Sequence, residues 1–339
     1  MEDSNTGYSK TIRRLVIVVS IGLALHVLFL LLTVDVKSFA LLKNISFINL
    51  SLICFLAICP WLGHSLRLVM WSRFIKHPMT FRELLPVVIV NDLGAALTPT
   101  ALGGGPVKLA LLIKKGMPPP KATFLIFLSA TEDVFFYLVG ILLSVFYLKS
   151  TIANIIVAIA SQKILLISIL TFIFLPIIFR KHTKKLLRFL VNKLPEKWVE
   201  RIYKVRRKFS EYVSDIGSTF KSVIKEGKLR LVLSIVILFF QWITKFSILA
   251  VLLYSLGIDF TWFNMYIKQW LISLSMLIVP TPGASGGSEA AFLYLFKKDI
   301  GGDLSSLIVS AWRFFTYYFI LIISILTLNI LNKELLNKV

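Results

Sequence analysis

Ionised side chains sit where this chain can least solvate them. Glu132 and Asp133 lie about ten residues into the apolar stretch 122–148, and Arg313 about nine residues into the stretch 304–331. At about 1.5 Å per helical residue, each is roughly 15 Å from the end of its segment. A charge in the middle of an apolar span costs about 2.5–3.5 kcal/mol on insertion scales, so such groups face an interior and pair. The carboxylates of one segment and the guanidinium of the other predict an ion pair between Glu132 and Arg313. Arg313 has a second chemistry open to it, because its planar fork bonds a phosphate through two parallel N–H groups. Arg67, close to the end of the stretch 45–71, either reaches out to the interface or, with Trp71, holds an anion. Lys245, deep in the stretch 229–256, either pairs with a carboxylate or lines a cavity.

Two glycine-rich phrases accompany these charges. Thr98-Pro99-Thr100-Ala101-Leu102-Gly103-Gly104 and Thr281-Pro282-Gly283-Ala284-Ser285-Gly286-Gly287 both read T-P-x-A-x-G-G, 183 residues apart (281 − 98), and Lys114-Lys115 recurs at the same offset as Lys297-Lys298. Each phrase interrupts a hydrophobic segment with Pro and Gly. Paired breaks of this kind in two halves of a membrane protein point to a transport site. Gly105, Pro106 and Lys108 follow the first phrase, where a second half-helix begins. Unpaired N–H groups, the helix dipole and Lys108 together make an anion site there. The corresponding place in the second copy holds Ser288 and Glu289, so a cation in one half faces a carboxylate in the other. The competing reading is that the glycines only let helices approach closely.

The elements that must position these groups are membrane helices. The chain has 339 residues and is 57% hydrophobic, and its mean hydropathy is +0.82, a composition typical of polytopic membrane proteins. Six spans are predicted, at about 15–34, 45–71, 122–148, 152–179, 229–256 and 304–331, with the broken segments at about 84–113 and 264–296. Net charge is +21, and residues 180–230 alone carry 16 Lys/Arg against 5 Asp/Glu. Apolar residues recur at helical spacing in that stretch, which reads as amphipathic helices on a membrane surface. The positive-inside rule makes it cytoplasmic, with both termini on the same side. The basic loop 114–121 is cytoplasmic too only if the first broken segment enters and leaves from that face. The second then does so from the opposite face. The expected architecture is therefore an all-α polytopic membrane protein of six spans plus two re-entrant segments. It forms one domain over 1–339, with a first repeat at 45–148, the basic region at 180–228, and a second, inverted repeat at 229–331.

Other chemistries are not supported by the residues. Cys54 and Cys59 fit no metal spacing. His26, His64, His77 and His182 are scattered without H-E-x-x-H. No G-x-S-x-G, Walker or dinucleotide fingerprint is complete, so no catalytic residue, metal or cofactor is expected. No nucleic-acid-binding module surrounds the basic region.

The phrase Thr98-Pro99 to Lys108, Glu132, Pro280 to Glu289 and Trp312-Arg313 resemble the transmembrane, flippase-like region of the lysylphosphatidylglycerol synthase family over nearly the whole chain. In bifunctional relatives a soluble aminoacyltransferase domain follows. This chain, ending at Val339, is expected to lack it. The resemblance implies translocation of a phospholipid, an aminoacylated phosphatidylglycerol or another lipid-phosphate, across the cell membrane. The site residues would be Arg67, Thr98, Pro99, Gly103, Gly104, Gly105, Lys108, Glu132, Asp133, Thr281, Pro282, Gly286, Gly287, Ser288, Glu289 and Arg313. The implied partners are anionic or zwitterionic membrane lipids, with a homo-oligomer or a separate lipid-modifying enzyme also open. The alternatives are a membrane subunit of a phosphatidylglycerol lysyltransferase, an activity the family name alone implies, and a small-solute or ion transporter.

Overall fold

A computed structural model describes residues 43, 45–98, 103–148, 196–279 and 281–336. The predicted spans at 15–34 and 152–179, the basic residues 180–195 and Pro99 fall outside the described residues. The described chain is helical, and four of its helical stretches are long and apolar enough to cross a membrane: Phe47–Phe74, Pro119–Tyr147, Lys228–Ser255 and Leu304–Leu331.

The main unit comprises residues 1–141 and 222–339. Helix α1 (Phe47–Phe74) starts where the Ser46 hydroxyl accepts from the Asn49 N–H. Helix α2 (Phe81–Leu97) starts at a capping box, in which Thr80 and Glu83 satisfy each other's backbone N–H groups. After the break, α3 (Gly104–Lys114) leads to α4 (Pro119–Tyr147). At 17 and 11 residues, α2 and α3 are each shorter than the roughly 20 residues a span needs. They fold as a hairpin: the Lys121 ammonium at the start of α4 donates to the Lys76 carbonyl just before α2, at 3.2 Å. The chain thus leaves α3 at the end of the bundle where it entered α2.

The same order recurs after residue 228. Helices α6 (Lys228–Ser255), α7 (Trp262–Met276), α8 (Gly287–Ile300) and α9 (Gly302–Arg313) are followed by a π-helical turn, Phe314–Tyr318, and by α10 (Phe319–Leu336). The starts of α3 and α8, and those of α4 and α9, are each 183 residues apart (287 − 104, 302 − 119). Helices α7 and α8 also form a hairpin, closed at its open end by an ion pair between Lys268 and Asp299.

The two hairpins open toward opposite ends of the bundle. Helices α1 and α6 lie antiparallel: Trp71 bonds Ser234 at one end of their contact and the Pro60 carbonyl accepts from Gln241 further along. Arg230, at the start of α6, lies over the Phe74 ring at the end of α1. The first hairpin follows the end of α1, and the second follows the far end of α6.

Burial is inverted relative to a water-soluble bundle. Phe127, Leu138, Phe240 and Ile322 are exposed, while Arg67, Lys108, Glu132, Gln241 and Arg313 are buried. Apolar side chains facing outward around buried, paired charges are what a lipid solvent selects. The interior also contains an aromatic stack, with Phe136 of α4 between Trp242 of α6 (4.7 Å) and Trp270 of α7 (4.3 Å). Gly140 leaves room for the Trp270 indole, which any Cβ there would strike.

Residues 142–221 form a second unit. Of it, the structure describes the end of α4 and most of α5 (Glu196–Glu226), one strongly amphipathic helix of 31 residues where the sequence predicts amphipathic helices.

Candidate functional site

A cavity of about 350 Å³ lies between α1, the first hairpin, α4 and α6. Three cations line it: Arg67, Lys108 and Lys245. So do Asp92 and Asp133, and the N-terminus of α3 at Gly104 and Gly105.

Arg67 is 2% exposed, so it does not reach the interface. It lies inside the last two turns of α1, and α6 covers it. Its Nε donates to Ser234 (3.2 Å), its Nη1 to the Gln241 side-chain oxygen (3.1 Å) and its Nη2 to Glu132. The Trp71 indole N–H is shared by the other Glu132 oxygen and Ser234. The expected pair between Glu132 and Arg313 is therefore replaced by one between Glu132 and Arg67. Arg67 of α1 thus bonds Glu132 of α4 and Ser234 and Gln241 of α6, which joins three spans through one buried charge network.

Lys108 is also buried, 5% exposed, but no carboxylate lies within ion-pair distance among the described residues. Its Nζ is 3.2 Å from His64 Nε2. Lys245 makes neither a hydrogen bond nor an ion pair among the described residues, and its ammonium stands 5.0 Å from the Trp242 ring. Asp92 is fixed by the Trp61 indole (2.7 Å) and Asn91 (3.0 Å). Asp92 and His64 both stand in the sequence, but nothing in their local spacing connects them to Lys108. The hairpin packing does so.

The repeated threonines organise the breaks themselves. Thr98 Oγ1 donates to the Gly94 carbonyl and accepts from the Gly103 N–H at 2.7 Å. Thr281 Oγ1 donates to the Ser285 carbonyl at 2.8 Å. Their hydroxyls serve the turns, and Gly103 is held so close to Gly94 that a Cβ would fall 2.5 Å from its carbonyl oxygen.

In the second half, Arg313 is 1% exposed. Its Nε donates to Glu289 (2.8 Å) and its Nη2 to the Gly283 carbonyl (2.8 Å). The π-helical turn that begins beside it brings the Tyr317 ring under the guanidinium, 4.6 Å from the centroid. Glu289 turns its other oxygen onto the Gly286 N–H and the Ser288 hydroxyl, both at 2.8 Å. Gly286, at φ +84°, and Gly283, at φ +59°, supply the left-handed backbone this loop requires. Gly287 packs on Val279, and Pro282 is exposed. The two break regions meet where the Tyr317 hydroxyl donates to the Ala96 carbonyl.

A second cavity of about 220 Å³ lies beside Arg313, Gly283, Thr316 and Tyr317. The predicted residues therefore gather at two places. Arg67, Gly104, Gly105, Lys108 and Asp133 line the first cavity and Arg313 the second. Thr98, Gly103, Thr281, Gly286, Ser288 and Glu289 make bonds or contacts that hold the breaks in shape.

A bundle with an apolar exterior, two opposed helical hairpins and a charged interior cavity defines an all-α integral membrane protein. The sequence model of the lysylphosphatidylglycerol synthase TM region matches residues 15–324, and the chain belongs to that family. It is also similar to a UPF0104 membrane protein of Archaeoglobus fulgidus, 24% identical over 294 residues, covering 83% of this chain and 86% of that protein.

Proposed function

We propose that this protein carries the headgroup of a phospholipid, or of another lipid-phosphate, from one leaflet of the cell membrane to the other. The observation that carries this reading is the cavity whose wall combines Arg67, Lys108, Lys245 and a helix N-terminus inside an apolar bundle. Cations that make no direct ion pair are costly in a membrane interior, and a chain keeps them where an anion arrives. Lys108 and the first N–H groups of α3 meet the phosphate. Lys245 adds a second cation on a flexible stem, and Asp92 and Asp133 balance the charge when the cavity is empty. Acyl chains remain among lipids at the apolar faces of the spans. The two hairpins are read as re-entrant from opposite leaflets in an inverted repeat, with both termini and the basic region 180–228 cytoplasmic. Alternating access at the two break regions exposes the cavity first to one side and then to the other.

Reconstitution into proteoliposomes tests this reading. Acyl-labelled phosphatidylglycerol in the inner leaflet becomes accessible to an external quencher faster than in protein-free vesicles. If no charged lipid changes leaflet faster than in those vesicles, the reading is wrong.

A further inference from the structure

The two cavities share part of their lining. Asp92, Ala95, Trp242 and Lys245 belong to both. On one side of this shared wall lie Arg67 and Lys108, and on the other lies Arg313. Of the four shared residues, Asp92 is held by two hydrogen bonds, from Trp61 and Asn91. Trp242 is clamped in the aromatic stack against Phe136. Ala95 carries only a methyl group. Lys245 alone has a charged head on a four-carbon stem, with neither a hydrogen bond nor an ion pair among the described residues. Its ammonium stands over the face of Trp242.

The geometry points to two successive stations for an anionic headgroup, with Lys245 as the cation common to both. In the first chamber the phosphate meets Lys108, the start of α3 and Lys245. In the second it meets Lys245 and Arg313. A lysine suits the shared position because an ammonium on a flexible stem can follow an anion through the junction, whereas a guanidinium held by several partners cannot. The fixed Asp92 carboxylate beside it gives Lys245 a counter-charge while the junction is empty, which keeps the ammonium at the wall. The headgroup then passes between cations without standing unpaired in the apolar interior. This inference rests on the lipid-translocation reading and adds to it a route and a residue.

The test is chemical rescue at one position in the full chain reconstituted in proteoliposomes, with acyl-labelled phosphatidylglycerol as the probe. Lys245→Cys lowers the initial exchange rate by roughly tenfold or more, the size expected for one charge-assisted contact. Aminoethyl methanethiosulfonate, which rebuilds a lysine-like cation on that cysteine, restores most of the rate. The neutral methyl reagent does not, and wild type treated in parallel controls for Cys54 and Cys59. Lys245→Gln repeats the loss in a variant that needs no labelling, and Lys245→Arg retains part of the rate. Thr316→Trp, which fills only the second chamber, lowers exchange by a similar factor in a protein that still elutes as a single species. Wild-type exchange in Lys245→Gln, equal rescue by the neutral reagent, or wild-type exchange with the second chamber filled each overturns the proposal while lipid translocation stands. A wild-type protein that exchanges no anionic lipid overturns translocation itself.

Discussion

The two halves each bury an arginine and a glutamate, and use the pair differently. In the first half, Arg67 and Glu132 come from two spans, and a third span adds Ser234 and Gln241. Little backbone is involved, and the pair fixes how α1, α4 and α6 pack. In the second half, Arg313 and Glu289 spend most of their remaining bonds on one loop: the Gly283 carbonyl, the Gly286 N–H and the Ser288 hydroxyl. That pair fixes the shape of a break. The hairpins differ in the same way. The second hairpin's carboxylate is consumed by its own turn and by Arg313. The first hairpin's cation, Lys108, faces a cavity with His64 beside it and, among the described residues, no carboxylate within ion-pair distance. A repeated backbone thus carries one arginine–glutamate pair that holds a loop and one that joins three spans.

Removing the arginines separates the two uses most sharply. Arg67→Ala leaves Glu132 buried with the Trp71 indole as its remaining donor among the described residues. Stranding one member of a buried pair costs about 3–5 kcal/mol, so the variant should unfold at markedly lower temperature in detergent. Arg67→Met with Glu132→Leu should recover much of that loss, because no unpaired charge remains. Arg313→Ala should cost less, about 1.5–3 kcal/mol, the scale of hydrogen bonds to a charged group. Glu289 keeps two donors and sits in the first turn of α8, where the helix dipole favours a carboxylate. Hydrogen exchange should then rise at residues 283–288 and remain slow along α1 and α6. Equal losses of stability in the two variants would dissolve the contrast.

Lys108 gives the next smaller effect, with the opposite sign. An ammonium buried without a carboxylate is a cost the fold carries, so Lys108→Met should be neutral or stabilise by about 1 kcal/mol, while slowing exchange of an anionic lipid by roughly tenfold. Stability measured by thermal unfolding and exchange measured in vesicles should therefore move in opposite directions. A clear loss of stability would place Lys108 with Arg67 as a structural charge.

Much of this was legible in the amino-acid sequence, because a bilayer imposes simple rules on composition. The apolar runs located the four described spans, and the repeated phrases fall within both breaks, their Gly-Gly ends marking where α3 and α8 begin. Charges inside spans marked Glu132 and Arg313 as buried. Their partners were not legible. Arg67 and Glu132 are 65 residues apart, and Arg67 and Gln241 are 174 apart. Only the packing of α1, α4 and α6 joins them, and no periodicity encodes that. Asp92 and Lys245 gave no local signal of a shared wall for the same reason. The threonines carry bonds that the repeat alone did not specify: both hydroxyls bond the backbone of their own turns.

The smallest effect is at Gly105, and set beside Gly283 it should show the two halves diverging in sign. Gly283 has φ +59°, and a Cβ there would strike the Tyr317 ring. Gly283→Ala therefore combines left-handed strain with overpacking and should cost about 2 kcal/mol or more. Gly105 is the second residue of α3, and the nearest atom to a Cβ built there is in Ile126, at 3.7 Å, an ordinary contact. Alanine forms helix more readily than glycine by about 0.8–1.0 kcal/mol in a helix interior, and by less in a first turn. Gly105→Ala should therefore raise stability by about 0.5 kcal/mol. It should also add a methyl to the cavity wall beside Lys108, so vesicle exchange should slow while the melting temperature rises. If Gly105→Ala instead lost stability, as Gly283→Ala is expected to, the first break would be as tightly packed as the second, and its glycine would be there for packing, not for an anion's approach.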